Sequence, residues 1–394
     1  MRAANSQRRP APDDEEAIAF LRDIVSIYSP SERERLVAEH IVGIMREWGY
    51  RAEIDQAGNA VGRMGDGERQ ILLLGHIDTV RGEIPVRTED GVLYGRGSVD
   101  AKGPFAAFVV AAARTGALFD TLCDPSTIDT QSIKFDTLCD HTAIDTQSIK
   151  PNTQITVVGA VEEEAATSKG AYHVAEHHKR PDYIVIGEPS AWNRITIAYK
   201  GRLLVDYTLE RPMFHTAASQ RSACEQAVAF WLCLQERADD YNEDKERHFT
   251  TFDPSLRSIH SSSDGLTERV EMRMGLRLPP GFSVQELIAE MDRWRGDAQV
   301  KTWAYEKPFR ASTRNALVSA FRAAIRAEGG RATYVSKTGT SDMNVLGPRW
   351  SCPIVAYGPG DSHLDHTPNE HLPLDEYLRA IRVLERVLRR LGRV

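Results

Sequence analysis

The stretch QILLLGHIDTV, residues 70–80, decides the fold and points to the functional site. Its first part, residues 70–75, is a short continuous hydrophobic run of the kind that forms a strand buried on both faces. The run ends in His76 and Asp78, which stand two residues apart. If the extended conformation continues through them, both side chains point to the same side. The stretch therefore predicts a core strand that delivers an imidazole and a carboxylate to one place.

Strands of the same type alternate with helices on either side of this stretch. Predicted helices cover residues 17–27, 31–48, 103–115 and 169–178, and further predicted strands cover residues 154–161 and 182–187. At the second helix, Ser31 and Glu34 have the spacing of a capping box, which predicts a helix start at Ser31. Alternating strands and helices indicate an α/β layered core built on a largely parallel sheet.

The pattern changes at about residue 194. Strands of a half-exposed antiparallel sheet and intervening helices then predict a separate α+β module. Its strands are residues 195–210 and 269–278, and its helices are residues 220–235 and 284–294. The α/β pattern resumes with a helix at residues 314–327, strands at 332–335 and 353–357, and a last helix at 374–391.

These changes predict the domain organisation. Residues 17–193 and 309–394 are expected to form a catalytic domain, residues 194–308 an inserted domain, and residues 1–16 a flexible tail. One segment fits no element, because residues 119–134 are repeated as residues 135–150 with three differences. Two copies are too few for a stacked repeat, and a loop lengthens at small entropic cost. We interpret residues 119–150 as an inserted surface loop of low order.

Composition argues against several classes of protein. The formal net charge is −7 and there is no long basic stripe, which argues against nucleic acid as a main partner. No apolar run approaches the roughly 18 residues that a membrane helix needs, and the N-terminus lacks the apolar part of a signal peptide. The five cysteines form no CxxC pair, so no disulfide framework is expected. We expect a cytoplasmic protein that binds neither nucleic acid nor membrane.

Acidic and histidine side chains follow the other predicted strands. Asp100 precedes the alanine-rich helix, Glu162, Glu163 and Glu164 end one strand, Glu188 ends the next, and His363, Asp365, His366 and Glu370 follow the last. In an open α/β sheet, groups at the carboxyl ends of the strands meet in one cleft. Imidazoles and carboxylates are ligands of zinc-type ions, and one carboxylate can bridge two ions.

Each of these groups has an ordinary structural explanation when it is taken alone. An aspartate before a helix is usually an N-cap, and a run of three glutamates is usually a solvated face. A histidine at a strand end is equally ordinary. All of them end predicted core strands, however, and the whole set predicts a hydrolase that holds a pair of metal ions.

The segments GHIDTV, GRGSVDAKG, VEEEA, GEPS and DHTPNE, in this order, resemble the M20 family of co-catalytic zinc peptidases and deacylases. The resemblance covers most of the chain outside the N-terminal tail and the repeat. It implies two divalent metal ions, zinc or alternatively cobalt. His76, Asp100 and Glu188 would hold one ion, and Asp100, Glu164 and His366 the other. It also implies a cis peptide bond after Asp100.

The same resemblance assigns roles to the neighbouring residues. It implies that Glu163 is the general base and that Asp78 is the outer partner of the metal-binding histidine. The family pattern leaves Glu162 without a role. The family histidine stands four residues before a glutamate, as His366 does, so His363 is expected to be an outer or surface group.

The resemblance further implies a zinc-peptidase-like catalytic domain with an inserted ferredoxin-like lid, which usually forms a homodimer. His215 stands where the family's lid histidine polarises the scissile carbonyl, although Phe214 replaces the small residue common before it. Arg314, Ser341 and Asp342 are expected to bind substrate. The first offers a guanidinium for a carboxylate, and the other two lie in a small-residue loop with free amides, where Asp342 alternatively meets an ammonium.

Within the family, the stretches RGEIPVRTEDGVLYGRGSVDAKGPFAAF, VEEEAATSKGA and YKGRLLVDYTLE are most similar to hydrolases of carrier-protein lysine and arginine biosynthesis. Those enzymes free lysine or ornithine from the C-terminal glutamate of a small acidic amino-group carrier protein. One alternative is a deacylase of small N-acyl amino acids, such as acetylornithine deacetylase or succinyl-diaminopimelate desuccinylase. Another is an inactive relative that only binds, which the loss of a ligand or of the base would favour; all of these residues are present.

Overall fold

The computed structural model describes residues 11–121, 152–215, 220–246 and 248–392, without the side chains of residues 117–121. The helices are α1 Asp14–Ser26, α2 Arg35–Glu47, α3 Lys102–Thr121, α4 Lys169–His177, α5 Ala223–Asn242, α6 Val284–Trp294, α7 Ala316–Ala327, α8 Asp342–Trp350 and α9 Leu374–Gly392. The strands are β1 Arg51–Ile54, β2 Ala60–Met64, β3 Arg69–His76, β4 Arg87–Glu89, β5 Val92–Tyr94, β6 Thr153–Ala160, β7 Tyr183–Gly187, β8 Arg194–Tyr199, β9 Gly201–Pro212, β10 Asp253–Ser263, β11 Thr267–Leu278, β12 Gln299–Glu306, β13 Phe309–Arg310, β14 Thr333–Lys337, β15 Ile354–Ala356 and β16 His371–Pro373. Within these ranges, no helix is both long and apolar enough to span a bilayer.

The chain divides into two compact units. The first comprises Met1–Ile197, Ala311–Val335 and Arg349–Val394, and the second comprises Ala198–Arg310 and Ser336–Pro348. The second unit thus includes a short late segment that the sequence analysis left with the first.

The first unit is built on a sheet with the strand order β1-β2-β6-β3-β7-β15-β8. Strand β3 runs parallel to β6 and β7, and β15 runs parallel to β7. The hydrophobic run predicted at residues 70–75 lies within β3, which is buried from Ile71 onward. Because these four strands point the same way, their carboxyl ends lie along one edge of the sheet. His76 is the last residue of β3, and the chain segments that follow the other three ends contain Glu164, Glu188 and His366.

Helix α3 packs on the centre of this sheet at close range. Gly75 of β3 is in register with Gly159 of β6 and with Gly187 of β7, so three adjacent strands lack a side chain at one level. An added β-carbon at Gly159 would come within 3.0 Å of the Phe105 ring, and one at Gly187 within 3.0 Å of the Phe108 ring. The row of glycines therefore lets the two aromatic rings of α3 sit directly on the sheet, which fixes the start of α3 beside the strand ends.

The first helix begins earlier than predicted. Helix α1 starts at Asp14, so residues 14–16 do not belong to a flexible tail. Asp13 caps the helix, because its carboxylate accepts the Glu16 amide at 2.9 Å while the Glu16 carboxylate accepts the Asp13 amide at 3.0 Å. Acidic side chains in the first turn also interact favourably with the helix dipole.

The second helix begins later than predicted, and the prediction of a capping box at Ser31 and Glu34 is wrong. Helix α2 starts at Arg35, and Glu34 precedes it without a side-chain capping bond. The Ser31 amide donates to the Thr79 carbonyl at 3.3 Å. Its hydroxyl donates to Asp78 at 2.7 Å, so a long-range contact has replaced the local one.

The second unit is an α+β unit with a four-stranded antiparallel sheet in the order β10-β11-β9-β12. Helices α5 and α6 pack on one face of this sheet, where Phe230 and Leu287 join a core with Leu203, Val205 and Tyr207 of β9. The single strand predicted at residues 195–210 is divided between two sheets, because β8 pairs with β15 of the first unit and β9 with β11 of the second.

The tandem repeat lies outside the described residues, apart from its first three. Residues 119–121 continue helix α3, so the predicted start of the inserted loop at residue 119 is wrong and lies at least three residues too early.

Candidate metal centre

Three of the predicted ligands come together at the carboxyl edge of the first sheet. His76 ends β3, Asp100 precedes α3 and Glu164 follows β6. Each offers a ligand atom, and these atoms all lie within 4.8 Å of one another. His76 Nε2 lies 3.2 Å from Asp100 Oδ1. A buried imidazole, a buried carboxylate and a half-buried carboxylate therefore converge on one point.

His366 joins this group from the loop after β15. Its Nε2 lies 3.0 Å from Asp100 Oδ2 and 2.9 Å from Glu164 Oε1. The backbone of His366 is left-handed, with φ of 61°, a costly conformation that persists where the surroundings impose it. The two oxygens of Asp100 thus contact two different histidines. A carboxylate that bridges two cations likewise presents one oxygen to each of them.

The backbone around Asp100 is held by a buried ion pair. The Glu370 carboxylate accepts the Val99 amide at 3.0 Å, the Asp100 amide at 3.1 Å and the Arg96 guanidinium at 2.8 Å. The peptide bond between Asp100 and Ala101 is cis, which confirms the expectation from the resemblance. No role was predicted for Arg96, and Glu370 was predicted only as one of the acidic groups after the last strand and as the residue that marks the spacing of His366. The signal that could have revealed this pair was a charged residue inside each of the motifs GRGSVDAKG and DHTPNE.

Lys102 is a second support that the sequence analysis missed. It is fully buried, and its ammonium donates to the carbonyl oxygens of Ile24 at 2.9 Å and Ile27 at 2.7 Å, at the end of α1. Burial lowers the pKa of Lys102 to about 7. The lysine ties the carboxyl end of one helix to the start of another, a favourable place for a cation.

Asp78 lies fully buried behind His76. Its Oδ1 is 3.4 Å from His76 Nδ1, and its carbonyl oxygen is 3.0 Å from the same nitrogen. The Ser31 hydroxyl donates to Asp78 Oδ2. Asp78 therefore orients the imidazole through both its backbone and its side chain, so that Nε2 is turned toward Asp100.

Two buried carboxylates also hold the glutamate triplet by its backbone. Glu34 Oε1 accepts the Glu162 amide at 3.1 Å. Asp78 Oδ1 accepts the Glu163 amide at 3.1 Å, and Asp78 Oδ2 accepts the Glu164 amide at 3.0 Å. Glu162 has a left-handed backbone, with φ of 59°. Three consecutive amides are thus bound by two side chains, which fixes the directions in which the three glutamates point.

The three glutamate side chains differ in their partners. Glu162 accepts the Thr167 hydroxyl at 2.8 Å and the Lys169 ammonium at 3.2 Å. Glu164 reaches His366, and Glu163 is half-buried between its neighbours. The carboxylate of Glu162 is therefore bound to groups outside the ligand cluster. This agrees with the expectation that Glu162 has no role in the site.

Glu188 follows β7 at the same edge of the sheet and is 8% exposed. The residues after it are tied to the loop that follows β15. The Ser190 amide donates to the Gly358 carbonyl at 3.0 Å, and the Ala191 amide donates to the Gly360 carbonyl at 2.9 Å. The segments that carry Glu188 and His366 are therefore bound to each other.

Carboxylate charge shifts the pKa values within the cluster. Hydrogen bonds to Asp100 and Glu164 raise the pKa of His366 to about 11. Burial opposes the charged form of His76, but Asp100 and Asp78 raise its pKa well above the ordinary value. Burial and the charge of Asp100 raise the pKa of Glu164 to about 8. Burial also opposes ionisation of Asp100, yet the two histidines lower its pKa.

This donor set fits divalent metal ions. Imidazole nitrogens and carboxylate oxygens are the ligands that zinc and related ions take. Buried carboxylates are costly without positive charge beside them. A divalent cation among the same ligands supplies that charge while the imidazoles become neutral. The residues present therefore fit the ions that the sequence analysis predicted.

Two further predicted residues of the first unit lie at its surface. The His363 side chain is 87% exposed and lies 2.8 Å from Asp361 Oδ1. Arg314 is exposed just before α7, and its amide donates to the Ser312 hydroxyl at 3.2 Å. His363 is thus a surface group, one of the two places expected for it.

Three predicted residues belong to the second unit. His215 is exposed, whereas Ser341 and Asp342 are buried at the start of α8. The Ser341 amide donates to the Asn344 side chain at 3.0 Å, so the expectation of a free amide there is wrong. Asn344 was not predicted; its side chain also donates to two backbone carbonyls, which fixes the loop.

Comparison with known proteins identifies a matching family. The family model described as Peptidase family M20/M25/M40 matches residues 72–122 and 141–390. The unmatched residues 123–140 lie inside the tandem repeat. A LysW-lysine hydrolase of Deinococcus radiodurans is 40% identical over 97% of this chain and 99% of its own length. A Thermococcus kodakarensis protein provisionally named LysW-lysine/LysW-ornithine hydrolase is 38% identical over 96% of this chain and 92% of its own.

Solved structures show the same fold. An M20 family metallo-carboxypeptidase from Sulfolobus solfataricus superposes with a TM-score of 0.74. The superposition covers 96% of this chain and all of that chain, at 16% sequence identity. At this identity the likeness extends to the fold alone.

The contacts of Glu34 generate a stability prediction. Its Oε1 accepts the amides of Glu32 and Glu162 and is buried. We expect Glu34→Ala to lower the free energy of unfolding by about 1–3 kcal/mol, because buried amides lose their acceptor. Glu34→Gln keeps an accepting oxygen and should lose much less. Urea denaturation of both variants measures the difference, and equal losses would show that the amide contacts contribute nothing.

Proposed function

Because the chain belongs to Peptidase family M20/M25/M40, we propose that it releases lysine or ornithine from the LysW carrier protein. The bond cleaved is the amide to the side chain of the carrier's C-terminal glutamate. The observation that supports this function most strongly is the position of the Asp100 carboxylate between two histidines. The chain that holds this site is 40% identical to a LysW-lysine hydrolase over almost its full length. The chain is a hydrolase of amide bonds, and the carrier is the proposed partner.

We assign two divalent ions to the cluster, as the resemblance implies. His76, Asp100 and Glu188 would hold one, and Asp100, Glu164 and His366 would hold the other. The contacts of both Asp100 oxygens with different histidines support its shared position. Zinc fits these ligands, and cobalt takes the same ones. When bound, such a pair lowers the pKa of a water molecule and polarises a carbonyl oxygen.

Glu163 moves the proton. Its carboxylate takes one proton from the attacking water as the water oxygen bonds to the amide carbon. It then gives that proton to the leaving nitrogen as the carbon–nitrogen bond breaks. The Glu34 and Asp78 carboxylates keep the backbone of the triplet in place while the charge of Glu163 changes. This support matters, because small displacements of a catalytic group cost large factors in rate.

The substrate contacts rest on residue chemistry and on the family resemblance. Carrier-linked lysine offers an α-carboxylate, for which the Arg314 guanidinium is the assigned partner. Its side-chain ammonium is assigned to Asp342, and Ser341 shapes the loop that holds this aspartate. His215 is assigned the hydrogen bond to the carbonyl oxygen as negative charge develops there. We also propose that the second unit serves as a lid and forms a homodimer contact.

Substitution of the base tests the mechanism. We expect Glu163→Gln to retain two metal ions per chain and to lose roughly 10²–10⁴-fold in rate, because the proton acceptor is removed while the ligands remain. Metal content by mass spectrometry and steady-state hydrolysis provide the two readouts.

The adjacent glutamate supplies a matched control. The Glu162 carboxylate binds Thr167 and Lys169, so Glu162→Gln should keep the metal ions and nearly all of the activity. If Glu162→Gln loses as much rate as Glu163→Gln, or if Glu163→Gln loses its metal, the assigned roles within the triplet are wrong.

Substrate preference tests the proposal that the carrier protein is the substrate. We expect kcat/KM on LysW bearing lysine to exceed that on N-acetyl-lysine. The advantage should shrink as salt is added, because charge-assisted encounter with an acidic protein is screened. Paired assays over a series of salt concentrations measure it. Equal efficiency on both substrates at low salt would leave an ordinary deacylase of small N-acyl amino acids.

A further inference from the structure

A cleft of about 550 Å³ opens on the first unit where α7 ends and β14 begins. The residues that line it are Arg322, Arg326, Gly330, Arg331, Ala332 and Tyr334. The three arginines are exposed, as is Tyr334 at 45%. Among the described residues, the lining has three positive charges and no carboxylate, on a chain whose net charge is −7. The cleft therefore has the opposite sign to the molecule as a whole.

The arginines of this cleft differ from their neighbours in the same unit. Arg382 and Arg386 of α9 both donate to Glu328, at 3.1 Å and 2.7 Å. Among the residues that the structure describes, Arg322, Arg326 and Arg331 have no such ion pair within the chain. A group of like charges without internal partners repels itself, and an anionic partner relieves that repulsion.

One lining residue of the cleft, Gly330, is linked by contacts to the candidate metal centre. Gly330 lies so close to Trp192 that an added β-carbon would come within 2.6 Å of the indole ring. Trp192 follows Glu188 by four residues, and its amide donates to Glu376 at 3.1 Å. The same Glu376 oxygen accepts the Gly360 amide at 3.1 Å, in the loop that leads to His366.

A further cation extends the basic surface. The Arg379 guanidinium lies 4.6 Å from the centroid of the Trp192 ring, on the tryptophan that contacts Gly330. We define the arginine cleft as Arg322, Arg326 and Arg331 with Tyr334. Next to it, Arg379 stacks on Trp192, in the segment that follows the proposed metal ligand Glu188.

We propose that the arginine cleft docks the acidic body of the carrier protein while the carrier's C-terminal glutamate reaches the metal centre. The inference rests on the proposed function, which requires a folded acidic protein to remain outside the site. A carrier of negative charge is repelled by a chain of charge −7 unless a local positive surface receives it. Arginine forks bind carboxylates with two parallel hydrogen bonds, and arginine and tyrosine are enriched at protein interfaces.

The test removes the three charges of the cleft. The variant Arg322→Gln, Arg326→Gln, Arg331→Gln is assayed on LysW bearing lysine and on the dipeptide γ-glutamyl-lysine, which keeps the scissile amide without the protein body. We expect kcat/KM on the carrier substrate to fall about tenfold or more, mainly through KM, while hydrolysis of the dipeptide stays within about twofold. The salt dependence of the carrier reaction should weaken in parallel.

A matched control removes the same charge elsewhere. Arg293, Arg349 and Arg390 are exposed and do not line the cleft. Their triple change to Gln should leave the preference for the carrier nearly intact. The triple Lys variant of the cleft retains the charge and should recover much of the carrier activity, which distinguishes docking from a loss of folding in the Gln variant.

The outcomes separate the docking proposal from the function. If the wild type prefers the carrier and the cleft variant keeps that preference, the docking proposal is overturned and the function stands. If the wild type cleaves the carrier and the dipeptide equally well, the protein body adds nothing and the docking proposal is overturned, whereas equal efficiency on the carrier and on N-acetyl-lysine at low salt overturns the function. If a duplex DNA oligonucleotide competes for the cleft more strongly than the carrier does, the cleft binds nucleic acid and the proposal is overturned.

Discussion

The shared negative charge of Asp100 is the constraint on which the rest of the structure depends. One carboxylate contacts two histidines that come from segments far apart in sequence, His76 at the end of β3 and His366 after β15. That contact requires the backbone at Asp100 to be fixed, and the buried pair of Glu370 and Arg96 fixes it. The fold therefore has to bring four chain segments to one edge of a sheet before any chemistry is available.

Parallel strands and close helix packing meet that requirement. Four parallel strands end at one edge, and the row of glycines across three of them lets α3 lie directly on the sheet. Beyond the strand ends, backbone amides are bound by the buried side chains of Glu34 and Asp78. These supports are long-range contacts, so the position of the proposed base Glu163 depends on residues near the start of the chain. A variant at Glu34 can thus affect catalysis without touching substrate.

The sequence predicted the features that depend on local pattern and on motif chemistry. The hydrophobic run before His76 gave the central strand, and the acidic residues after neighbouring strands gave the cluster around Asp100. The pattern could not show that Ser31 contacts Asp78 instead of capping α2, because that choice is made by tertiary contact. For the same reason the burial of Lys102 and Glu370 escaped notice, since a charged residue is expected at the surface until a partner is seen.

Anomalous X-ray diffraction at the zinc absorption edge, from crystals of the zinc-loaded protein, tests the central claim most directly. We expect two peaks, one beside each oxygen of Asp100, with His76 and His366 on different ions and Glu163 bound to neither. A single peak, or direct ligation by Glu162 or His363, would contradict the assignment of Asp100 as the bridge on which the mechanism is built.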